Sequence, residues 1–219
     1  MAEEKKVTKN DLFWTFIRSN FLLGSFNFER MQAIGFCVSM MPILKRVYGD
    51  NKEKLRAALK RHLEFFNTQP FVAAAIMGII GAMEEKKANG ADISDATLSG
   101  VKVGLIGPLA GVGDPIFWGT LRPVLAALGA GIALTGSILG PIIFFVAFNI
   151  IRLATHWYGV KYGYEKGTEL VENIGGHQMH FLTEGSSVLG LLVMGALVAK
   201  WTTVNMPLVI SEYDNALGD

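Results

Sequence analysis

Two long stretches of the chain contain no charged residue, and this pattern predicts helices in a membrane. Residues 123–151 and 185–199 lack Asp, Glu, Lys and Arg. A helix at the surface of a soluble protein needs a polar face toward water, so uncharged stretches of this length indicate a lipid environment. The first stretch is too long for one straight span, and its glycines favour a hairpin over 123–140 followed by a spanning helix over 141–154. Another helix is predicted over 186–201.

The N-terminal region has the period of an amphipathic helix. Over residues 8–23, apolar side chains recur three and four positions apart, behind a candidate N-cap at Thr8 or Asn10. Such a helix lies on a membrane surface or on a partner, with Trp14 at the level of the lipid headgroups. A later group of aromatic residues predicts a belt at the membrane–water boundary: Trp157, Tyr158, Tyr162 and Tyr164.

The middle of the chain predicts broken or re-entrant helices. The apolar stretch 71–83 is too short to cross a hydrocarbon core of ~30 Å, so it predicts a re-entrant arm or a helix buried within protein. Residues 84–99 are predicted to form a polar connection. Residues 100–115 are rich in glycine and contain two prolines, which argues against one long regular helix. Pro42 predicts the end or a bend of its own helix. The fold class is therefore an all-α integral membrane protein with broken or re-entrant, spanning and surface amphipathic helices.

The distribution of basic residues predicts an orientation. Residues 45–61 contain seven basic side chains against two acidic ones. Because cytoplasmic segments of membrane proteins are enriched in Lys and Arg, this segment is expected in the cytoplasm. The helix predicted over 186–201 then delivers residues 205–219 to the outside.

Composition excludes several other classes of protein. The chain is 51% hydrophobic with a net charge of +1, so it lacks the basic surface that a nucleic-acid partner requires. The single cysteine, Cys37, rules out a disulfide framework. No apolar stretch of the signal-peptide kind follows the charged N-terminus, which is expected to stay in the cytoplasm.

A cluster of uncharged polar residues is the first candidate binding site. Asn67, Thr68 and Gln69 stand between aromatic residues, just before the apolar stretch that begins at Phe71. Amides and hydroxyls both donate and accept hydrogen bonds, which suits sugar hydroxyls, and aromatic faces such as those of Phe71 and Trp118 suit the apolar face of a pyranose. The same polar residues could instead cap a helix, with Asn67 or Thr68 as the N-cap. Both interpretations stay open, because a broken helix in a transporter often points its N-terminus at the substrate.

Two further polar groups lie within apolar sequence. The first contains Asp114, Trp118 and Arg122, and its Asp and Arg either face a cavity or pair with each other. The second, with the same two interpretations, contains Asn27, Glu29, Arg30 and Gln32.

Other candidate sites have weaker support. The glycine-rich stretch lacks the Gly-Lys-Ser/Thr of a nucleotide-binding loop, because Gly113 is followed by Asp114. His177 and His180 are only two potential metal ligands, so a polar loop is favoured over a metal site. His62 lies in the basic segment, where a surface or interface role is the default. No base–nucleophile pair, metal site or cofactor site is predicted.

Three motifs connect the chain to a known family. They are GSFNFERMQAIGF at 24–36, RHLEFFNTQPF at 61–71 and VGLIGPLAGVGDPIFWGT at 103–120. In these motifs, and over essentially the whole chain, the sequence resembles the IID component of mannose-type phosphotransferase-system sugar permeases. The resemblance implies a single membrane domain over residues 1–219.

The resemblance also implies a function and partners. IID components form a bacterial plasma-membrane permease with a IIC component, as a trimer of IIC–IID pairs embedded in membrane lipid. A hexose enters from outside and is phosphorylated by IIB, which receives the phosphoryl group through IIA, so a translocating rather than a catalytic role is expected here. Some bacteriocins use IIC and IID as receptors. A facilitator that releases unmodified sugar is the alternative. Family members usually continue beyond the stretch matching 205–219 into a hydrophobic C-terminal region, which this sequence is expected to lack.

Overall fold

The structure is helical throughout its described part. The computed structural model describes residues 4–172 and, beyond them, the helical positions Val188, Leu192 and Gly195. Within these residues the only β-type pairings are two isolated bridges. The helices are α1 (Lys9–Ser19), α2 (Ala33–Tyr48), α3 (Lys52–His62), α4 (Ala73–Ala88), α5 (Asp95–Ile116), a π-helical turn (Phe117–Leu121), α6 (Arg122–Ala133) and α7 (Leu139–Glu172). The predicted all-α class is confirmed.

Helix α1 begins with a capping box, as the sequence predicts. The Thr8 hydroxyl accepts from the Asp11 backbone N–H, and the Asp11 carboxylate accepts from the Thr8 backbone N–H. Thr8, rather than Asn10, is therefore the N-cap. The helix packs on α2 and α7 with Leu12, Thr15 and Ser19 buried, whereas Phe13 and Trp14 stay exposed.

The core forms around α2 and α4. Residues from Ala73 to Glu85 in α4 are buried almost without interruption, and α4 packs along α7. Of the two alternatives for the stretch 71–83, a re-entrant arm or a helix buried within protein, the structure favours the buried helix. The predicted polar connection over 84–99 is wrong at both ends, because α4 continues to Ala88 and α5 begins at Asp95. Glu84 and Glu85 are buried in α4, where polar side chains of other helices form hydrogen bonds with their carboxylates.

Helices α2 and α5 both continue past their interior prolines, so neither helix ends where the sequence allowed it to. Helix α2 continues six residues past Pro42 to Tyr48. Helix α5 runs unbroken through Pro108 as far as Ile116, so the prediction that residues 100–115 cannot form one long helix is wrong. An interior proline removes one hydrogen bond, and a membrane helix retains enough of the others to continue. The irregularity lies at the π-helical turn, between Pro115 and Pro123, which each lack a backbone N–H.

Among the residues that the structure describes, two helical stretches are long and apolar enough to cross a membrane: Asp95–Ala133 and Leu139–Gly167. A turn containing Gly136, with φ of +82°, joins them, so a reversal does occur within 123–140. The second helix begins two residues before Pro141 and extends well past the predicted end at 154. The stretch that was expected to form an aromatic belt is thus part of α7. There Tyr158 and Tyr162 are exposed, whereas Trp157 packs on Phe13 and Phe16 and Tyr164 donates to Glu85.

Three predictions fall on residues outside the described part. They are the helix over 186–201, apart from its three described positions, the polar loop containing His177 and His180, and the exposed segment 205–219.

Candidate functional site

Two of the three motifs meet through a reciprocal amide pair. The Gln32 side chain precedes α2, and its Oε1 accepts from the Thr68 backbone N–H at 3.1 Å. Its Nε2 donates to the Thr68 carbonyl at 2.8 Å. The Thr68 hydroxyl in turn donates to the Ile106 carbonyl of α5 at 2.8 Å. Gln32 and Thr68 are both buried, so this pair fixes the segment before α4 to both α2 and α5.

Gln69 caps the turn that leads into α4. Its Oε1 accepts from the backbone N–H groups of Phe71 and Val72 at 2.8 and 3.0 Å. The alternative with Asn67 or Thr68 as the cap is therefore wrong, because the N-cap residue of α4 is Val72 and Gln69 binds the turn before it. The Gln69 Nε2 is buried and has no hydrogen-bond partner among the described residues.

Phe71 is the centre of an aromatic cluster. Its ring centroid lies 4.9 Å from that of Phe117, 5.4 Å from that of Trp118 and 5.7 Å from that of His156. The structure therefore brings Phe71 into contact with the π-helical turn and with α7. The two aromatic residues that the sequence nominated as the walls of a sugar site, Phe71 and Trp118, lie side by side.

Trp118 stands between the charged side chains of Asp114 and Arg122. The guanidinium carbon of Arg122 lies 5.3 Å from the Trp118 ring centroid, and the indole N–H lies beside the Asp114 carboxyl. Within the described residues Asp114 forms no ion pair with Arg122. The interpretation of these two residues as a structural salt bridge is thus wrong. Trp118, which lies between them, belongs to the π-helical turn.

The loop before α2 separates its four candidates. The Asn27 side chain shapes the loop by accepting from the Arg30 backbone N–H at 2.8 Å, while its backbone pairs with that of Met31. Glu29 and Arg30 are exposed and form an ion pair with each other at 3.4 Å. Gln32 is the one of the four whose side chain binds the segment before α4.

A polar stripe on α7 belongs to the same region and was missed in the sequence. Arg152 donates to Asn149 Oδ1 at 3.1 and 3.2 Å and to Asn20 Oδ1 at 2.6 Å, and its guanidinium carbon lies 6.0 Å from the Phe71 ring. His156 Nδ1 lies 2.9 Å from Ser19 Oγ. The spacing of Asn149, Arg152 and His156 by three and four residues within an apolar helix is the signal that could have found the stripe.

The same region fixes the tautomer of His156. The Ser19 hydroxyl carries one hydrogen and donates it to the Phe16 carbonyl at 2.7 Å. Ser19 Oγ is then the acceptor for the His156 Nδ1–H. The other ring nitrogen, Nε2, is buried with no partner in the described part of the chain.

The first two residues of the second motif, Arg61 and His62, belong to a buried ionic network with α4. The Glu84 carboxylate accepts from Arg61 at 3.0 Å, from His62 Nε2 at 2.9 Å and from the Tyr48 hydroxyl at 2.7 Å. Arg61 also pairs with Asp95 at 2.6 Å. His62 is buried, so the prediction of a surface or interface role is wrong. Glu84 lies in the largely apolar helix α4, and its carboxylate neutralises the buried guanidinium of Arg61.

The network has opposing effects on its pKa values. Burial would raise the pKa of Glu84, but hydrogen bonds from His62 and Tyr48 and the charge of Arg61 outweigh it and hold this pKa below 4.5. Burial lowers the pKa of His62 below 6.5, despite the opposing hydrogen bond to Glu84. His62 is therefore a neutral donor to an ionised Glu84. Among the described residues, no group of three or more His, Cys, Asp and Glu side chains could hold a metal ion.

Comparison with known proteins decides the family. Residues 6–217 match the family described as the PTS system mannose/fructose/sorbose family IID component. The chain is 61% identical over 215 residues to the mannose-specific EIID component of Escherichia coli K12, covering 98% of this chain and 76% of that protein. The chain belongs to the IID family.

Other relatives agree with this assignment. The fructose permease IID component of Bacillus subtilis 168 is 56% identical over 218 residues, which cover 100% of this chain and 79% of the relative. A chain in the cryo-EM structure of the mannose transporter ManYZ with microcin E492 superimposes with a TM-score of 0.83 at 61% identity, covering 98% of this IID protein and 78% of that chain. The resemblance carried by the three motifs is confirmed, and this IID protein is a membrane subunit of a sugar phosphotransferase permease.

Proposed function

We propose that this IID protein is a noncatalytic translocation subunit for a hexose of the mannose or glucose type. It pairs with a IIC subunit as a multi-pass component of the bacterial plasma membrane, and IIB phosphorylates the sugar with a phosphoryl group received through IIA. The observation that carries the proposal is the 61% identity, over nearly the whole chain, to a mannose-specific component. The identity to the fructose permease component is lower, at 56%, which favours the mannose type.

The proposed sugar contacts lie at the segment before α4. Asn67 is exposed, and its amide makes no hydrogen bond within the described residues, so it is free to bind sugar hydroxyls. The adjacent rings of Phe71 and Trp118, 5.4 Å apart, offer an apolar face, and Asp114 lies next to Trp118. Gln32, Thr68 and Gln69 hold this segment in position. Asn27 shapes the neighbouring loop, at whose surface Glu29 and Arg30 supply charged groups.

The apolar surface of α5, α6 and α7 is the proposed contact with IIC and with membrane lipid. Large apolar side chains are exposed along these helices, including Val103, Ile116, Val124, Leu128, Ile142, Phe145 and Ile150. Such a surface requires lipid or protein around it. We assign one part of it to IIC within a trimer of IIC–IID pairs and the remainder to lipid. Because the structure of the related ManYZ transporter contains microcin E492, the assembled permease is also a proposed bacteriocin receptor.

The test is sugar uptake by a reconstituted system. The chain is co-expressed with its IIC partner in bacteria that lack their own mannose permease, and membrane vesicles are loaded with IIA, IIB and the general phosphocarriers. The expected result is uptake of mannose that requires phosphoenolpyruvate and yields sugar phosphate inside. Vesicles without this chain are the control. Uptake of unmodified mannose in the absence of phosphoenolpyruvate would favour a facilitator, and no uptake by the complete system would overturn the proposal.

A further inference from the structure

A cavity at the polar end of α5 lies apart from the aromatic cluster around Phe71. Its volume is about 450 Å³, within the range of small-molecule sites. Its charged lining residues come from three parts of the chain that the sequence separates: Arg30 before α2, Lys60, Arg61 and Glu64 at the end of α3, and Asp95 at the start of α5. Asp95 is also the first residue of a membrane-length helical stretch. The cavity therefore lies at the polar start of this helical stretch.

Two of the basic side chains that line this cavity, Lys60 and Arg30, have unused hydrogen-bond donors. Lys60 is exposed and forms no ion pair or hydrogen bond within the described residues, so its three N–H donors are available. Arg30 uses only its Nε, in a 3.4 Å contact with Glu29. Arg61, by contrast, is held by Glu84 and Asp95 and acts as a fixed positive wall. Ammonium and guanidinium groups that converge on one space are the usual recognition elements for a phosphate group.

The carboxylates of the cavity restrict what the anion can be. Glu64 accepts from the Ser99 hydroxyl through Oε2, and Asp95 binds Arg61 and Lys87 through Oδ1. Both carboxylates line the cavity. Their oxygens would repel a bare phosphate ion, whereas they can accept hydrogen bonds from alcohol groups. The pattern fits a ligand with a phosphate at one end and hydroxyl groups at the other.

We propose that the cavity lined by Arg30, Lys60, Glu64 and Asp95 binds a phosphate ester that carries free hydroxyl groups. Two sources supply this chemistry. One is the glycerol phosphate headgroup of phosphatidylglycerol, which would reach the cavity from the bilayer edge. The other is a hexose phosphate from the aqueous side, and this source rests on the proposed transport function. In either case Lys60 contacts the phosphate and Glu64 contacts a hydroxyl.

The experiment uses the permease assembled with its IIC partner in nanodiscs. The thermal midpoint is measured in phosphatidylcholine discs, in discs that also contain phosphatidylglycerol, and in phosphatidylcholine discs titrated with mannose 6-phosphate or with inorganic phosphate. Stabilisation by phosphatidylglycerol identifies the lipid as the source, and stabilisation by mannose 6-phosphate identifies the soluble ester. Inorganic phosphate is expected to stabilise the permease less than the ester does.

The decisive comparison is between two lysines of α3. Lys60→Gln is expected to lower the affinity for the stabilising ligand about tenfold, equivalent to ~1.4 kcal/mol. Lys54→Gln changes the same charge on an exposed position outside the cavity and is expected to leave the response unchanged. Because both side chains are exposed, equal midpoints without ligand verify folding. Equal responses of the two variants, or no response of the wild type to either ester, would overturn the proposal. Either result leaves the uptake test unaffected, so failure of this site is distinguishable from failure of the transport function.

Discussion

At the scale of single residues, the polar side chains before α4 divide into those that build the segment and one that is free. Thr68 and Gln69 are buried and their side-chain oxygens are committed to the backbone, Thr68 to α5 and Gln69 to the turn before α4. Asn67, next to them, is exposed. Removing the partner of a buried polar group lowers the free energy of unfolding, whereas removing an exposed amide does not. Structure and binding are therefore separable here by substitution.

Asn67→Ala is predicted to weaken sugar binding without destabilising the protein. Removing one or two hydrogen bonds of about 0.5–1.5 kcal/mol each lowers affinity roughly 3- to 100-fold. Because Asn67 is not the helix cap, the thermal midpoint of the assembled complex should stay unchanged. Sugar binding by isothermal calorimetry, with a midpoint measured on the same sample, checks both statements. Unaltered affinity in an assembled complex would remove Asn67 from the site.

Glu84→Gln is predicted to be strongly destabilising. The substitution leaves the buried Arg61 guanidinium without its main counter-charge, and breaking a buried pair in this way costs about 3–5 kcal/mol. Glu53→Gln, on the exposed face of α3, is the matched control and should change the free energy of unfolding by less than about 0.5 kcal/mol. Denaturation of the assembled complex at neutral pH measures both. A loss no larger than that of the control would show that the network contributes little.

His62 is predicted to make the protein sensitive to mild acid. Because the folded-state pKa of His62 lies below 6.5, the unfolded chain binds a proton first as the pH falls, so stability decreases from about pH 7 down through the folded-state pKa. Glu84 adds a further loss below about pH 4.5, since its folded-state pKa is also lowered. Thermal midpoints at pH 7.5 and 5.5 should differ less in His62→Gln than in the wild type. The same difference in both proteins would assign the acid sensitivity to other groups.

At the scale of helices, α4 and α7 are held together by close backbone approach. Gly159, Gly163 and Gly167 recur every fourth residue on α7 and form a stripe of small residues. A Cβ atom at Gly163 would lie 2.2 Å from the Ala75 carbonyl oxygen of α4, and one at Gly78 of α4 would lie 2.3 Å from the Val160 carbonyl oxygen. The absence of side chains at these positions allows α7 to cover one side of the buried helix. This packing fixes Arg152 and His156 beside Phe71.

Gly163→Ala is predicted to separate the two helices. The added methyl group meets backbone rather than a movable side chain, so the overpacking should cost about 1–3 kcal/mol or more. Gly107→Ala is the control, because a Cβ atom there has nothing within 4 Å and a helical alanine is favoured over glycine by about 0.5–1 kcal/mol. The thermal midpoint should fall for the first variant and stay level or rise for the second. Equal midpoints would contradict the close approach.

At the scale of the whole molecule, the sequence predicted what depends on hydropathy and missed what depends on long-range partners. A buried helix was one of the two alternatives that the length of the stretch 71–83 left open, and the rings of Phe71 and Trp118, both proposed as walls of one site, lie 5.4 Å apart. Local composition failed at residues 100–115, where membrane helix α5 tolerates Pro108. It also failed for Glu84, whose buried carboxylate is stabilised by the guanidinium of Arg61, 23 positions earlier in the chain. Such pairings are not visible in any short window of sequence.

The orientation of the molecule follows from where its basic residues are exposed. Of the seven basic residues in 45–61, six are exposed and only Arg61 is buried. Helix α3 thus presents a positive surface, and a segment of this kind is retained on the cytoplasmic side. We therefore predict that Lys54 faces the cytoplasm. Asp214, outside the described residues, is predicted to lie on the external side, from which the proposed transport function takes up its sugar.

Cysteine labelling in intact cells tests both positions. Cys37 is the only native cysteine and is buried, so Cys37→Ala supplies a background for single cysteines at positions 54 and 214. A membrane-impermeant maleimide should label Asp214→Cys in intact cells, because that position is predicted to face the medium. Lys54→Cys should react only after the membrane is permeabilised, which also serves as the control that the thiol is reactive. Labelling of Lys54→Cys from outside intact cells would contradict the predicted orientation. The basic residues of α3 would then lie on the side of the membrane where positive residues are disfavoured.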